Sequence, residues 1–596
     1  MKTLFLTLTF GIILSACMSQ EPKGQKFAEK RTTPFSAVKW TDAKPQIKVE
    51  SQWYQIVSMG PFSGETLLDT CKSIYPNNWK KRFGEDFVEF LWKLNLKPKV
   101  IESFELKDAD EQVVTMELEF SRAKRNEVYK FYRANYDKEF EMDFRRKLEK
   151  SAMIEDLEYL KTQILNHYAY ADLKGVDTEK EISQLAQTLE GDLSLREFGI
   201  RIQQLMLKYG DGHSRVRKLE LSTFGSLPFS THDFEGKVIC HKDESLFHKD
   251  FPFLYSINGV KAPELLKLSL EYIVQDGSEQ FKGHYAAKSL KNIGFLLSRV
   301  NKYNKDLDVV LMDEAGNTFQ TRSQLIFAPQ LSAKFLEEFM NPIKYKSLEG
   351  NIGYLKISQM TAEEPEKAIV HMMELAKDTR ALIIDVRGNG GGSRTIGNAL
   401  IPYFIGEDQH PLIASLAKLR TDTDYTPPEG LLDNRFMYPL NSPKFSVNER
   451  ESLQKFMQNF QAEWEYENEK YSDWHYYVLR KDENKSFYAK PVIVLMDAGC
   501  FSATDIFLGA LNQVKQVTLM GTKSGGGSGR SQSYQLPNSA FQVKLSSMIS
   551  FQPEGYLYDG RGVEPDIYVK QTKISDILGE TDSQLEYAIN YLQDLE

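Results

Sequence analysis

The chain has 596 residues, 41% hydrophobic and 26% charged, which suggests about three or four globular domains and excludes a disordered chain or a membrane bundle. A formal net charge of −9 with no basic block argues against nucleic acid as a main partner.

Met1-Lys2 carries one positive charge, and Thr3 to Leu14 is an apolar run too short to span a bilayer. The run ends in Leu14-Ser15-Ala16-Cys17, which resembles the lipobox of bacterial lipoproteins; the alternative is a plain signal peptide with a chance cysteine. A lipidated Cys17 implies a stable membrane anchor and a place in the cell envelope. Met18 stands where an Asp would signal inner-membrane retention in enteric bacteria, so the outer membrane is favoured. The other cysteines, Cys71, Cys240 and Cys500, form no CxxC or Cys/His cluster, so neither a structural zinc site nor a disulfide framework is expected.

Residues 18–35, polar with Pro22 and Gly24, read as a tether after the signal peptide at 1–17. Residues 36–136 mix a strand at Trp53–Val57, a helix at Phe87–Leu94 and an alternating strand at Val113–Phe120, giving an N-terminal α+β domain with no recognisable chemistry. Residues 137–218 are helical; Ser194 and Glu197 suggest a capping box for a helix that reaches Leu207 and stops at Gly210. Residues 219–345 are strand-rich. Phe253–Ile257, an Asn258-Gly259 turn and a helix from Pro263 resemble one element of PDZ domains.

From 346 to 596 the pattern is α/β. Strands are expected at Ile352–Ile357, Ala381–Val386, Pro491–Met496 and Val517–Met520, and helices at Glu363–Ala376 and Ala503–Leu511. An aromatic-rich insertion at 405–490 is too long for an ordinary loop, and reads as a lid.

Four segments carry groups suited to acyl transfer. Asp211-Gly212-His213-Ser214 places a histidine in a glycine-flanked turn. Asp385 to Gly392, DVRGNGGG, joins a buried strand to a helix from about Arg394; its N–H groups suit a developing oxyanion. Ser393-Arg394 does not supply the Lys-Ser/Thr pair of a phosphate loop, and GxGxxG spacing is absent. In Asp497 to Asp505, DAGCFSATD, Ser502 heads a helix as a nucleophile or an N-cap, with Cys500 a rival nucleophile. The segment after Gly521, GTKSGGGSG, and the later DGRGVEPD hold turns and three carboxylates, Asp559, Glu564 and Asp566, one of which has the chemistry to orient a histidine.

In this order the motifs resemble those of the tail-specific (C-terminal processing) proteases and the tricorn core, from about Lys138 to the C-terminus. The resemblance implies a multidomain α/β fold with a crotonase/ClpP-like core, and a peptidase needing no cofactor or metal that acts on peptides or unfolded protein. The branch with a Ser-Lys dyad keeps a lysine where this chain has Gly527, Lys523 falling four residues early. The tricorn-like branch uses a histidine and an acid. That implies Ser502 as nucleophile, His213 as base and Asp559 as its partner. Gly390 or Gly391 with the Ala503 N–H would form the oxyanion hole, and Ser214 would tune the site. Rival readings are a non-catalytic binder of apolar ligands and a non-proteolytic acyl enzyme. Oligomeric state and cleavage specificity are not encoded in any motif.

Overall fold

The computed structural model describes residues 27–595, apart from 30, 42–43, 76–78, 95, 136–143, 218, 220, 243, 275–278, 328–336, 339–340, 408–410, 422–426, 428–429 and 465. Cys17, the expected signal peptide and most of the expected tether lie outside the described residues. The chain divides into two compact units, Met1–Asp143 and Phe144–Glu596.

The N-terminal unit is a six-stranded antiparallel sheet, in the order Ala37–Thr41, Lys44–Val49, Gln52–Met59, Ile101–Lys107, Val113–Glu119, with Phe62–Ser63 beside the third strand. Its core is aromatic: Phe35, Phe83, Phe87, Phe90 and Phe104 are all fully buried. The expected tether is therefore too long. Ala28, Thr32, Thr33 and Phe35 are packed inside, because Phe35 fills the space beside Phe87, edge-on at 5.2 Å. Asp86 at 1% exposure is compensated by Lys81 at 2.7 Å, Arg82 at 3.1 Å and Arg125 at 2.7 Å, as burying a charge requires.

The second unit opens with the helices Lys150–His167, Thr178–Gln187 and Leu195–Leu207. Ser194 caps the last by accepting the Glu197 N–H, while the Glu197 carboxylate pairs with Arg299 at 2.7 Å. A seven-stranded antiparallel sheet follows, with Phe253–Ile257 central. Asn258 (φ 48°) and Gly259 (φ 79°) turn that strand toward the Ala262–Leu270 helix. Two further helices, Glu279–Ser289 and Ile293–Arg299, were not expected from the strand-rich reading.

The core sheet runs Ile343–Leu348, Ile352–Ile357, Ala381–Asp385, Val492–Met496, Val517–Gly521, Ile567–Tyr568. All neighbours after the first pair are parallel. Leu382, Ile384 and Val494 pack on the helices Pro365–Ala376 and Ala503–Leu511, while Ile383, Ile493 and Leu495 face Ala588 and Leu592 of the last helix. Burial on both faces explains the unbroken apolar runs.

The insertion is not a separate flap. Its strands Leu412–Leu419, Met437–Pro439 and His475–Leu479 form a four-stranded sheet with Met548–Phe551 of the core, and Leu412–Leu419 is buried at every position. Tyr466, Trp474 and Phe460 cluster on Phe551 within 6.5 Å. The aromatic density that suggested a lid is thus accounted for by packing.

Candidate active site

Three neighbouring parallel strands, Ala381–Asp385, Val492–Met496 and Val517–Gly521, end side by side; the first and third enter glycine-rich loops and the second enters a short loop containing Gly499. In open parallel sheets this edge gathers loop N–H groups and helix N-termini. The first loop is held at its base, where Arg387 bridges Asp385 at 2.8 Å and Asp582 at 2.6 Å. Burial alone would raise the Asp385 carboxyl, but Lys356 and Arg387 hold it well below the usual range. One oxygen of Asp497 accepts the N–H groups of Gly388 at 2.8 Å and Gly499 at 2.9 Å, stitching the first loop to the second. Buried Asn389 completes the seam: its Oδ1 accepts the Gly391 N–H at 3.0 Å and the Thr504 hydroxyl at 2.9 Å.

Ser502 stands at the head of the Ala503–Leu511 helix with φ 63° and ψ −117° and makes no side-chain cap bond. A positive φ is strained for any residue but glycine, and this strain lifts the hydroxyl out of the helix, as in a nucleophile elbow. Its Oγ lies 3.0 Å from His213 Nε2. Close approach demands glycine opposite: a Cβ on Gly391 would meet the Ser502 Cβ at 2.7 Å. Asp505, fully buried in the first turn of the helix, accepts the Ser524 hydroxyl at 2.5 Å and the Gly527 N–H at 3.0 Å, fastening the third loop beneath the elbow.

His213 follows the Leu195–Leu207 helix in a turn held by its own N–H, donated to Asp211 Oδ1 at 2.8 Å. Its ring stacks on Phe501 at 5.0 Å. Glycines wall this pair in: a Cβ on Gly212 would meet the Phe501 ring at 2.7 Å, and one on Gly527 would meet it at 2.5 Å and His213 Cε1 at 3.0 Å.

Two carboxylates face Nδ1, Asp559 at 3.8 Å and Asp211 at 3.9 Å. Both exceed hydrogen-bond length, and Nδ1 is buried without a partner. With Nε2 beside a hydroxyl and Nδ1 facing anions, the proton belongs on Nδ1, leaving Nε2 to accept from Ser502. Asp559 receives three donors: Tyr170 Oη at 2.6 Å, Ser528 Oγ at 2.8 Å and the Ser528 N–H at 3.3 Å. Burial opposes its charge, but these donors and His213 bring its carboxyl below the ordinary value. Asp211 is raised instead, by burial first and then by Asp559. Burial, and next Asp559, hold the Tyr170 phenol well above its usual range, so it stays a donor.

The structure brings Ser502, His213, Asp559, Gly391 and Ala503 together. Within the expected oxyanion set, the Gly391 N–H is already donated to Asn389, whereas those of Gly390 and Ala503 have no acceptor among the described residues. Ser214 does not address the ring. Its hydroxyl bonds Asp211 at 2.5 Å and accepts the Ser546 N–H at 3.0 Å. Of the other two carboxylates, Glu564 pairs with Lys523 at 2.6 Å and Asp566 accepts the Leu519 N–H at 2.7 Å. Cys500 is buried, with its Sγ on the Val386 carbonyl at 3.1 Å, and burial pushes its thiol far up, which removes it as a nucleophile. The reading of the sequence missed Tyr170, Ser528, Asn389 and the second carboxylate Asp211. Only Asp211, two residues before the histidine, was close enough in sequence to be noticed.

Residues 351–569 match the family model described as Peptidase family S41. Among curated proteins, the chain is 35% identical over 82 residues to the carboxy-terminal-processing protease of Bartonella bacilliformis, covering 14% of this chain and 19% of that one. It is 24% identical over 230 residues to the carboxy-terminal processing protease CtpB of Bacillus subtilis, covering 38% and 36%. The chain thus spans well under half the length of either relative. The crystal structure of mature CPAF superposes with a TM-score of 0.53 and 17% identity over 74% of this chain and 96% of that one, a likeness of the multidomain α/β fold. Residues 351–569 are thus similar to peptidase family S41.

Proposed function

We propose that this protein is an exported, lipid-anchored serine endopeptidase that hydrolyses peptides or unfolded protein through an acyl-enzyme. The observation that carries this reading is the 3.0 Å contact between His213 Nε2 and the Oγ of a strained, uncapped Ser502. His213 takes the Ser502 proton as Oγ attacks the scissile carbonyl. The resulting imidazolium is stabilised by Asp559, whose distance to Nδ1 shortens once the ring is charged. The developing oxyanion is received by the N–H groups of Gly390 and Ala503, each donor being worth roughly 3 kcal/mol in such a site. His213 then protonates the leaving amine, and the same base activates the water that releases the acyl group.

A Ser-Lys dyad is disfavoured by two observations. Lys523 is paired with Glu564, and the Gly527 position is walled by Phe501 and His213, so no side chain fits there. A purely binding role has no use for a strained serine held at a histidine. The test is peptide-library cleavage read by mass spectrometry: wild type should give products that Ser502→Ala does not. Equal product patterns would refute the assignment. The address rests on Cys17, so Cys17→Ser should release the protein from membranes on fractionation, and persistent membrane association would contradict the anchor.

A further inference from the structure

Just beyond His213 the chain enters a small antiparallel sheet, with Ser531–Gln535, Gln542–Ser546 and Arg215–Val216 side by side in that order. Alternation divides its two faces. Val543 and Leu545 are fully buried in the core, so Gln542, Lys544 and Ser546 face the other way. The register sets Ser531 against Ser546 and Ser533 against Lys544 on one side, and Arg215 against Lys544 on the other. Arg217 continues the line, its N–H donated to the Gln542 carbonyl at 2.8 Å and its Nη1 to Gln542 Oε1 at 3.1 Å. The end of this face abuts the imidazole. A Cβ on Gly529 would lie 2.9 Å from Ser546 Oγ and 3.1 Å from His213 Cγ. From there the face leads outward in two-residue steps, first to Lys544 with Arg215 and then to Gln542 with Arg217.

Three cations thus share one face, and no carboxylate pairs with any of them among the described residues. Like charges directly opposite each other weaken a sheet, and this chain carries a formal net charge of −9, so the strip runs against the overall balance. Burial first, then Arg215 and Arg217, lowers the Lys544 ammonium from its usual range. Asp211 acts against that shift, but it is buried and already accepts the Ser214 hydroxyl and the His213 N–H. Arg435, whose Nη2 donates to the Gly529 carbonyl at 3.2 Å, adds positive charge at the His213 end. The fold therefore keeps a repulsive arrangement beside its reacting groups, and an anionic ligand would relieve it.

Building on the peptidase reading above, we propose that Arg215, Lys544 and Arg217 form a binding strip for an acidic stretch of the substrate just after the scissile bond. In that reading His213 protonates the leaving amine, so the segment after the bond leaves on the histidine side, where the strip begins. An extended peptide advances about 3.4 Å per residue, as the strands themselves do. Carboxylates two and four residues beyond the bond therefore fall beside Lys544 with Arg215 and beside Arg217. Arg215 and Arg217 are exposed and Lys544 is half-buried, so each pair is modest and the preference is their sum.

The test reads binding and cleavage separately on the full-length protein. In Ser502→Ala, fluorescence anisotropy compares labelled peptides carrying Glu or Gln at alternate positions. The Glu peptide should bind about five- to thirty-fold more tightly at low salt, and the gap should close as salt is raised. Arg215→Gln with Lys544→Gln should bring the two peptides close together, and Arg215→Glu with Lys544→Glu should favour a Lys peptide over the Glu peptide. Removing the like-charge opposition should leave the melting temperature unchanged or raised, so loss of the fold does not stand in for loss of the strip. In the wild type, cleavage sites mapped in a peptide library should be enriched in Glu and Asp at the second and fourth positions after the cut. Equal affinity for the Glu and Gln peptides overturns the proposal, as does a Glu preference that survives Arg215→Gln with Lys544→Gln. Binding to phosphatidylglycerol vesicles that depends on Lys544, without discrimination between the peptides, would assign the strip to a membrane surface and also overturn it. If no peptide is cut and a fluorophosphonate leaves Ser502 unlabelled, the peptidase reading falls, while the anisotropy comparison still decides whether the strip binds acidic peptide.

Discussion

The two halves of the site are built from different materials. The half that holds the proposed nucleophile is backbone: Ser502, Gly390 and Ala503 are placed by loops at the ends of adjacent parallel strands, cross-tied by Asp497 and Asn389. The half that holds the proposed base is side chains drawn from remote segments, with His213, Asp211, Tyr170, Ser528 and Asp559 meeting around one imidazole. A backbone half is rigid because the sheet is rigid, and its demands on sequence are glycine and short polar residues at fixed spacing. The other half depends on hydrogen bonds between segments up to 389 positions apart, so each link is a single replaceable side chain. Damage to the two halves should accordingly be graded differently.

The largest losses are expected where the halves touch. Ser502→Ala and His213→Ala should each lower kcat by about 10⁴- to 10⁶-fold, and the double variant should be little worse, since the pair acts as a unit. Additive losses in a kinetic cycle would mean that the two residues do not cooperate. Asp559→Asn comes next, at roughly 10³-fold, because the amide no longer holds the tautomer or compensates the imidazolium. Asp211→Asn should cost far less, Asp211 having fewer donors to keep it charged; a larger loss than for Asp559→Asn would exchange their roles.

A smaller effect tests the wall between the halves. In Gly527→Ala the added Cβ would lie 2.5 Å from the Phe501 ring and 3.0 Å from His213 Cε1. The imidazole must shift, and misplacement on the ångström scale costs about 10²-fold. Near-wild-type kcat/KM would show that ring placement is not limiting.

The smallest effect separates the two carboxylates by stability. The Asp559 carboxyl is lowered from its ordinary 3.8, so its contribution is present above that pH and is lost as pH falls through the lowered value. Asp211 is raised from 3.8, so its ionisation costs stability as pH rises through the raised value. Melting temperatures should therefore show Asp559→Asn most destabilised at neutral pH, the gap to wild type closing in acid. Asp211→Asn should fare better relative to wild type at neutral pH than near pH 3.8. Parallel profiles for the two variants would remove the distinction between them.

The same division governs what the sequence makes readable. The nucleophile half was legible almost to the residue: the strands Ile352–Ile357 and Ala381–Asp385 and the Ala503–Leu511 helix lie where periodicity and glycine loops put them. Of the base half, only the His213 turn and the family position of Asp559 could be read. Tyr170 gives no local sign of its role, because an ordinary tyrosine after a helix becomes a carboxylate donor only through tertiary contact. The insertion misled for a related reason. Its aromatic residues resemble a cap in composition, yet they pack on Phe551 of the core.

The central claim is that His213, and not a lysine, activates Ser502. The rate at which a fluorophosphonate labels Ser502 reports that activation without any knowledge of the substrate. Measured side by side on wild type, His213→Ala and Lys523→Ala, the account predicts a loss of at least about 10³-fold for the histidine variant and a rate within about twofold of wild type for the lysine variant, Lys523 being a surface partner of Glu564. Fast labelling in His213→Ala together with its loss in Lys523→Ala would contradict the account and return the site to a Ser-Lys mechanism.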